Sequence, residues 1–519
     1  MPKIAGVLPG RGRLEVVLDT TGLSRLDEGL SYLVGYPYGC LEQTTSKVVP
    51  MVAVGDLAAS LDLPEVNQAT LKRFVTTGIA KILRHQHEDG GFGLWIGAPT
   101  EEHYTAFGLW GLAVARRSGW DVDRAALDKG ARWLRKSLAQ SKDQDGYHYM
   151  GVAGAQAFAL YVLAELAADK IGPGPDAALR DKLLRERSKL PRYGRAFLAR
   201  ALARTDVKDV AKMVLDEILA EAGAGKGPLV IGEGNDTDLS WYWSSDTRTS
   251  AIVLGALIAL DPKHPAVERL ADGLLAARNQ GRWENTQENL YSLVALADLA
   301  RVRAASGGAK ITVTAGGRSL FAGALKGAEV KRLAVPNDGR GAGSLVIETD
   351  GAPVYYLARL HSVRVLDPSA RQAGMTVVRE YLDGESGRPL GQAKVGQLVK
   401  VRLKIQSQSS RSHVAVVDRL PAGLEPVLDR FKPKDQEEDD EGRIHWWWMA
   451  RETRWQNQQL HDDRVELFAD VLVAGETTHE YLTRAMSAGT FTVPGTLAEM
   501  MYKPTVNGRS AGGTLQVVR

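Results

Sequence analysis

From about residue 21 to 303, apolar residues recur at spacings of three and four; beyond Gly307 they alternate with polar ones. The first period belongs to amphipathic helices and the second to half-buried strands. A chain that changes period must build at least two kinds of core. Helical stretches fall at residues 71–83, 104–115, 126–138, 155–166, 177–184, 210–219, 250–260, 267–276 and 290–299. The helical region as a whole reads as about eleven or twelve helices. Polar, glycine-bearing turns with an aromatic join several of them, at residues 86–95, 143–147 and 280–283. Helical hairpins repeated in this way can close into an α/α toroid. In such turns glycine supplies positive φ and the aromatic fills a gap between helices.

Strand-like alternation follows at residues 310–314, 344–349, 354–363, 375–381, 397–405, 412–420, 464–473, 479–486, 490–493 and 515–518. Short strands separated by Gly, Pro and Asp turns indicate β-sandwiches. Leu366-Asp367-Pro368-Ser369 divides two β units, and the charge run at residues 432–441 reads as a solvated loop. One more strand, Arg13 to Leu18, precedes the helices. It is too short to bury a face alone and is expected to pair with strands after residue 307, which makes the helical region an insertion in a sandwich. The expected domains are residues 1–20 with 304–366, residues 21–303, and residues 367–519.

Charge gives no case for nucleic-acid binding: 65 Lys and Arg stand against 62 Asp and Glu. No apolar run reaches the length of about 20 residues that spans a bilayer, and the first residues lack the apolar core of a signal peptide. There is one cysteine, Cys40. It can form neither an internal disulfide, nor a four-cysteine zinc site, nor a redox pair.

The densest chemistry surrounds that cysteine, in Gly35-Tyr36-Pro37-Tyr38-Gly39-Cys40-Leu41-Glu42-Gln43-Thr44-Thr45-Ser46. A lone cysteine is most often a buried, inert hydrophobe, and no thiol-protease signature surrounds this one. Cys-x-x-Gln beside Gly and Pro, at the entry to a helix expected from about residue 44 to 61, offers another use. In a tight turn the sulfur and the carboxamide can meet, lose ammonia and leave an internal thioester. The nearby helix N-terminus would help carry the charge of the departing thiolate.

This segment resembles the thioester motif of the alpha-2-macroglobulin and complement superfamily, in the Cys-Leu-Glu-Gln form of the bacterial alpha-2-macroglobulins. Residues 86–95, Tyr104-Thr105-Ala106-Phe107, Trp243 to Thr249 and Trp283 to Asn289 resemble its helical domain in order. Leu420 to Glu425, Asp462-Asp463-Arg464-Val465 and Met501-Tyr502-Lys503-Pro504 resemble its C-terminal domain. The resemblance implies an α/α-toroid thioester domain inserted in a small CUB-like β-sandwich, followed by a macroglobulin-type β-sandwich. It also implies that the chain is the C-terminal part of a longer protein, with macroglobulin domains, bait region and lipoprotein signal upstream.

The function implied is a broad-spectrum, single-turnover protease inhibitor, not an enzyme. After bait cleavage a protease lysine attacks the acyl carbon of Gln43, and Cys40 leaves as a thiol. No cofactor or metal is implied. The resemblance further implies a monomeric parent, a periplasmic location, a lipid anchor in the inner membrane and a penicillin-binding protein as partner in cell-wall synthesis. Because water competes with the amine, the resting bond must be kept dry. Tyr36 and Tyr38 are candidate covers from the motif itself, and Met501 and Tyr502 match the family's cover from the C-terminal domain. No histidine matches the one that redirects some relatives toward hydroxyls; His103 and His148 read as surface or capping residues.

Two other readings stand beside this one. A toroid enzyme of the prenyltransferase or terpene-cyclase kind shares the glycine-aromatic turns. A non-covalent binding module would carry an inactive thioester. Trp446-Trp447-Trp448 reads as packing on alternate faces of a strand, and Asp462-Asp463 as a turn with a local ion pair rather than a cation site.

Overall fold

The structure, a computed structural model of the full chain, describes residues 7–453 and beyond to 519 apart from 23, 25, 37, 38, 56–67, 141–148, 206, 224, 226, 234–242, 280, 305, 306, 328, 337–343, 365–368 and 428–452. It divides into two compact units, Met1–Val365 and Leu366–Arg519.

In the first unit, strand β1 (Val7–Asp19) lies between β4 (Val330–Pro336) and β6 (Tyr355–Arg364), antiparallel to both. A second sheet of β3 (Arg318–Lys326), β2 (Gly308–Ala315) and β5 (Leu345–Gly351) faces it. Val16 and Leu18 of the first sheet pack with Ala309, Ile311, Val313 and Leu325 of the second. The N-terminal strand therefore completes a sandwich whose other strands follow the helices. At its end the Asp19 carboxylate accepts from the amides of Thr21, at 2.7 Å, and Ser24, at 2.9 Å, which turns the chain out of the sheet.

Twelve α-helices occupy the described residues between β1 and β2: α1 (Asp27–Gly35), α2 (Leu41–Ala53), α3 (Gln68–Leu83), α4 (Glu102–Arg117), α5 (Arg124–Gln140), α6 (Tyr149–Ala168), α7 (Ala177–Arg185), α8 (Arg192–Ala203), α9 (Lys208–Ala222), α10 (Asp246–Leu260), α11 (Ala266–Ala276) and α12 (Thr286–Ala304). The even-numbered helices pack each on the next, and α12 returns to α2, which closes a ring. The odd-numbered helices lie outside; α5, for example, bridges α4 and α6.

Composition explains which helix goes where. Helix α4 is buried continuously from His103 to Ala113, as an inner helix covered on all sides must be. Helix α5 buries one stripe, Leu127, Gly130, Ala131, Leu134 and Leu138, and keeps its charged face in water. The turns behave as the sequence indicates. Phe92 and Trp283 are almost completely buried between helices, and Gly90 has φ +106°. Tyr147 lies outside the described residues.

The second unit is β throughout its described residues. Strands β8 (Thr376–Asp383), β10 (Leu398–Ser407), β15 (Gly475–Ala485) and β12 (Leu424–Pro426) form one sheet. A six-stranded sheet contains β13 (Asn457–His461), β14 (Arg464–Leu472), β11 (Arg411–Arg419), β17 (Leu497–Met500), β18 (Lys503–Arg509) and β7 (Arg371–Ala373). Val401, Leu403 and Ile405 of the first sheet meet Val414, Val416 and Leu467 of the second. Within this core the Arg379 guanidinium pairs with the fully buried Asp418 at 2.5 Å, and Tyr481 and Thr496 also donate to that carboxylate. A third sheet joins β16 (Gly489–Val493), β19 (Gly513–Val518) and the short β9 (Ala393–Lys394).

Asp462 and Asp463 occupy the turn between β13 and β14, where Arg464 pairs with Asp463 at 2.8 Å. The charge run at residues 432–441 and the three tryptophans at 446–448 lie outside the described residues.

Candidate functional site

Cys40 is the N-cap of α2. Its backbone is extended, at φ −65° and ψ 173°, and its carbonyl accepts from the Thr44 amide at 2.9 Å. The Cys40 sulfur accepts from the amide of Gln43 at 3.5 Å, and the Gln43 carboxamide oxygen accepts from the amide of Cys40 at 3.2 Å. This is a capping box in which sulfur and carboxamide take the parts usually played by a hydroxyl and a glutamate. It begins the helix three residues earlier than the apolar period suggests, at Leu41 rather than Thr44, because the cap residue is the cysteine itself. The two groups meet across the first helical turn. The stretch at residues 56–67, where the expected helix end falls, lies outside the described residues.

Both side chains are removed from water, Cys40 at 1% exposure and Gln43 at 0%. The chain braces them from two sides. The amide of Leu41 donates to the carbonyl of Leu94 in the turn before α4, at 2.9 Å. On the ring side α4 comes close enough that Gly111 faces Thr45.

Burial pushes the Cys40 thiol well above the ordinary thiol range, and the neighbouring Glu42 carboxylate pushes it further. The amides of Gln43 and Glu42 pull the other way, as a helix N-terminus should, but do not prevail. The expected help from the helix N-terminus is therefore real but outweighed while the site is closed. The amide of Cys40 points at the oxygen of the Gln43 acyl group. It can stabilise the negative charge that builds there when a nucleophile adds to the carbon.

Glu42, between the two, is fully buried. It accepts from Ser46 at 2.5 Å, from Thr286 at 3.0 and 3.2 Å, and from Gln287 at 2.6 Å. Gln287 in turn accepts from the guanidinium of Arg248 at 3.1 Å. Arg248 lies over the rings of Tyr193 and Tyr291, at 4.8 and 5.0 Å. Sequence reasoning names Cys40 and Gln43 but assigns nothing to Glu42, Ser46, Thr286, Gln287 or Arg248. The available signal was the polar pair Glu42 and Ser46, four residues apart and therefore on one face of the helix.

The other candidates are placed as follows. Tyr36 ends α1, buried, with its ring 5.4 Å from that of Tyr32 and its carbonyl accepting from Lys47 at 2.5 Å. Tyr38 lies outside the described residues. Met501 and Tyr502 form the turn between β17 and β18 of the second unit. Met501 donates its amide to the carbonyl of His413 at 2.8 Å, and the Tyr502 ring stands edge-on to that of His413 at 5.1 Å. His103 is not a surface residue. It is buried near the start of α4 with its ring 4.0 Å from Tyr104 and 5.0 Å from Trp243, because the aromatic lining of the ring encloses the helix start. His148 lies outside the described residues.

Two family models match the chain. One, the A-macroglobulin TED domain, covers residues 14–149 and so includes Cys40 and Gln43. The other, the Bacterial Alpha-2-macroglobulin MG10 domain, covers residues 374–505. The chain belongs to the bacterial alpha-2-macroglobulin family. Alpha-2-macroglobulin of Escherichia coli is 26% identical over 94% of the chain, and that match takes in 29% of the relative. The alpha-2-macroglobulin homolog of Nostoc sp. is 24% identical over 83% of the chain and 23% of the relative. The chain thus spans less than a third of the length of these relatives. Among solved structures, Salmonella alpha-2-macroglobulin reacted with methylamine superposes with a TM-score of 0.78 at 24% identity, over 99% of this chain and 32% of that one. Native E. coli alpha-2-macroglobulin from domain MG7 to the C-terminus gives 0.77 at 21% identity, over 99% and 79%. These likenesses match the helical domain followed by β-sandwiches.

Proposed function

We propose that Cys40 and Gln43 form an internal thioester and that the chain is the capturing part of a protease inhibitor. The observation that carries this reading is the reciprocal hydrogen bonding of the two residues in full burial. Formation needs the Cys40 sulfur to add to the Gln43 carbonyl carbon and ammonia to leave. Capture reverses the sense. A protease lysine amine adds to the same carbon, the carbon–sulfur bond breaks, and an isopeptide bond holds the protease. One molecule captures once, so the chemistry is stoichiometric. Methylamine is the reagent with which the Salmonella relative reacted, and a small amine is the natural probe for such an acyl group.

Intact mass spectrometry tests the reading. Fresh protein should weigh one ammonia less than its sequence, then gain one methylamine and one titratable thiol on treatment. The Cys40→Ala protein should do neither. A fresh protein at full sequence mass with a free thiol removes the trap reading and leaves the binding module with an inactive thioester.

The candidate covers for the bond, in this reading, are Tyr36, Tyr38, Met501 and Tyr502. The parent is read as a monomeric, periplasmic lipoprotein of the inner membrane that works beside a penicillin-binding protein. Co-purification of the full-length parent with membranes, lost when its lipidated cysteine is replaced, is the outcome that supports the anchor.

A further inference from the structure

The strongest feature that this chemistry leaves unused is the carboxylate between the two reacting residues. Glu42 is fully buried at the second position of the thioester-bearing turn. Burying a charge is costly unless it is well solvated by the protein. Here Ser46, Thr286 and Gln287 supply hydrogen-bond donors, two of them from α12, which lies 244 or more residues away in the chain. Each of these groups donates to Glu42, the pattern an acceptor-only carboxylate can use in full. Gln287 relays the arrangement to a cation, taking a hydrogen bond from Arg248 on its oxygen while donating from its nitrogen to Glu42. Much polar structure is thus committed to holding one carboxylate two residues from Cys40. A capping role alone does not require it, because the cap is made by Cys40 and Gln43.

We propose that Glu42 is a positioning residue for latency: its clamped carboxylate opposes the negative charge that must appear on the Cys40 sulfur when the thioester is cleaved. This rests on the thioester reading above. In the reaction an amine nitrogen adds to the Gln43 acyl carbon. The carbon–sulfur bond then breaks with its electron pair staying on sulfur, and the proton lost by the amine ends on that sulfur. Any anion beside the sulfur raises the barrier to the second step. The direction of the Cys40 shift agrees, with Glu42 working against the thiolate and Lys47 working for it. Drawing the first turn of α2 away from Thr286 and Gln287 would let water screen the carboxylate and remove the restraint. The same movement that uncovers the bond would then also activate it.

The test compares methylamine reaction rates of the parent, Glu42→Gln and Glu42→Asp proteins, each with a thermal melt. Glu42→Gln keeps the shape and removes the charge, and is expected to react about three- to tenfold faster. Glu42→Asp keeps the charge and is expected to stay closer to the parent than to Glu42→Gln. Equal rates for Glu42→Gln and parent overturn the proposal. So does Glu42→Asp reacting as fast as Glu42→Gln, which would assign the effect to packing. If fresh Glu42→Gln shows no ammonia deficit, its mass decides. A hydrolysed carboxylate at Gln43 supports the proposal, and an untouched carboxamide overturns it. Should Glu42→Gln not fold, Thr286→Val loosens the clamp without touching the charge. It is expected to shorten the lifetime about two- to threefold, and an unchanged lifetime overturns the proposal. Failure of the thioester reading itself would show separately, as a parent protein at full sequence mass.

Discussion

A Cβ placed on Gly111 would stand 2.5 Å from Cγ2 of Thr45, so α4 can lie against α2 only because that position has no side chain. Thr45 is itself fully buried, which leaves it no room to move aside. Gly111→Ala is expected to destabilise the first unit by about 1–3 kcal/mol through overpacking. Replacing Thr45 by Ser removes the opposing methyl and should recover most of that loss in the double mutant. Denaturant unfolding of the four proteins measures the coupling, and simple additivity would refute the contact.

Tyr36 is buried against Tyr32 and Lys47, four residues before Cys40. If its ring keeps water from the acyl bond, Tyr36→Ala should shorten the methylamine lifetime severalfold, while Tyr36→Phe should behave as the parent. A Tyr36→Ala protein with the parent's lifetime would end the shielding role of this residue. The same assay on Tyr502→Ala examines the cover assigned to the second unit.

Arg379 and Asp418 form an ion pair inside the second unit, with side-chain exposures of 3% and 0%. Asp418 also accepts from Tyr481 and Thr496. Asp418→Asn would leave the guanidinium facing a neutral amide in a dry core. The expected loss is about 3–5 kcal/mol of stability in this unit. Thr496→Val, which removes one charge-assisted donor and keeps the pair, should cost about 1.5–3 kcal/mol. Equal losses for the two would show that the pair is worth no more than one hydroxyl hydrogen bond to the carboxylate.

His413 is buried at φ +51°, and burial lowers its ring from 6.5 to about 4. The unfolded chain takes up a proton first as the pH drops. Stability tied to the neutral ring is complete above pH 6.5, declines as pH falls, and levels off below about 4. The whole change is about 3 kcal/mol. His413→Asn tolerates the left-handed backbone and should flatten the acid limb of the second unit's stability curve. His479, also lowered to about 4 by burial, keeps part of the slope. An unaltered acid limb would mean that His413 is reached by water.

Local patterns in the chain carried a large part of this structure, and they did so where the physics is local. The spacing of apolar residues follows from helix and strand geometry alone, so the helices, and strands such as β10 and β14, are legible. Cys-x-x-Gln likewise announces itself, because a capping box spans one turn. Strand β3 is not legible: Arg318–Lys326 is rich in Ala and Gly, mostly exposed, and lacks alternation. The helix start at Leu41 was missed because cysteine is not a usual cap. Other facts exist only after distant segments pack. The ring closes when α12 meets α2, and β1 finds its partners beyond residue 330. The clamp on Glu42 forms with Thr286 and Gln287 where α12 closes the ring against α2. No period encodes these contacts. They arise because a buried carboxylate and an unpaired strand must each find hydrogen-bonding groups, and packing alone decides which part of the chain is near enough to supply them.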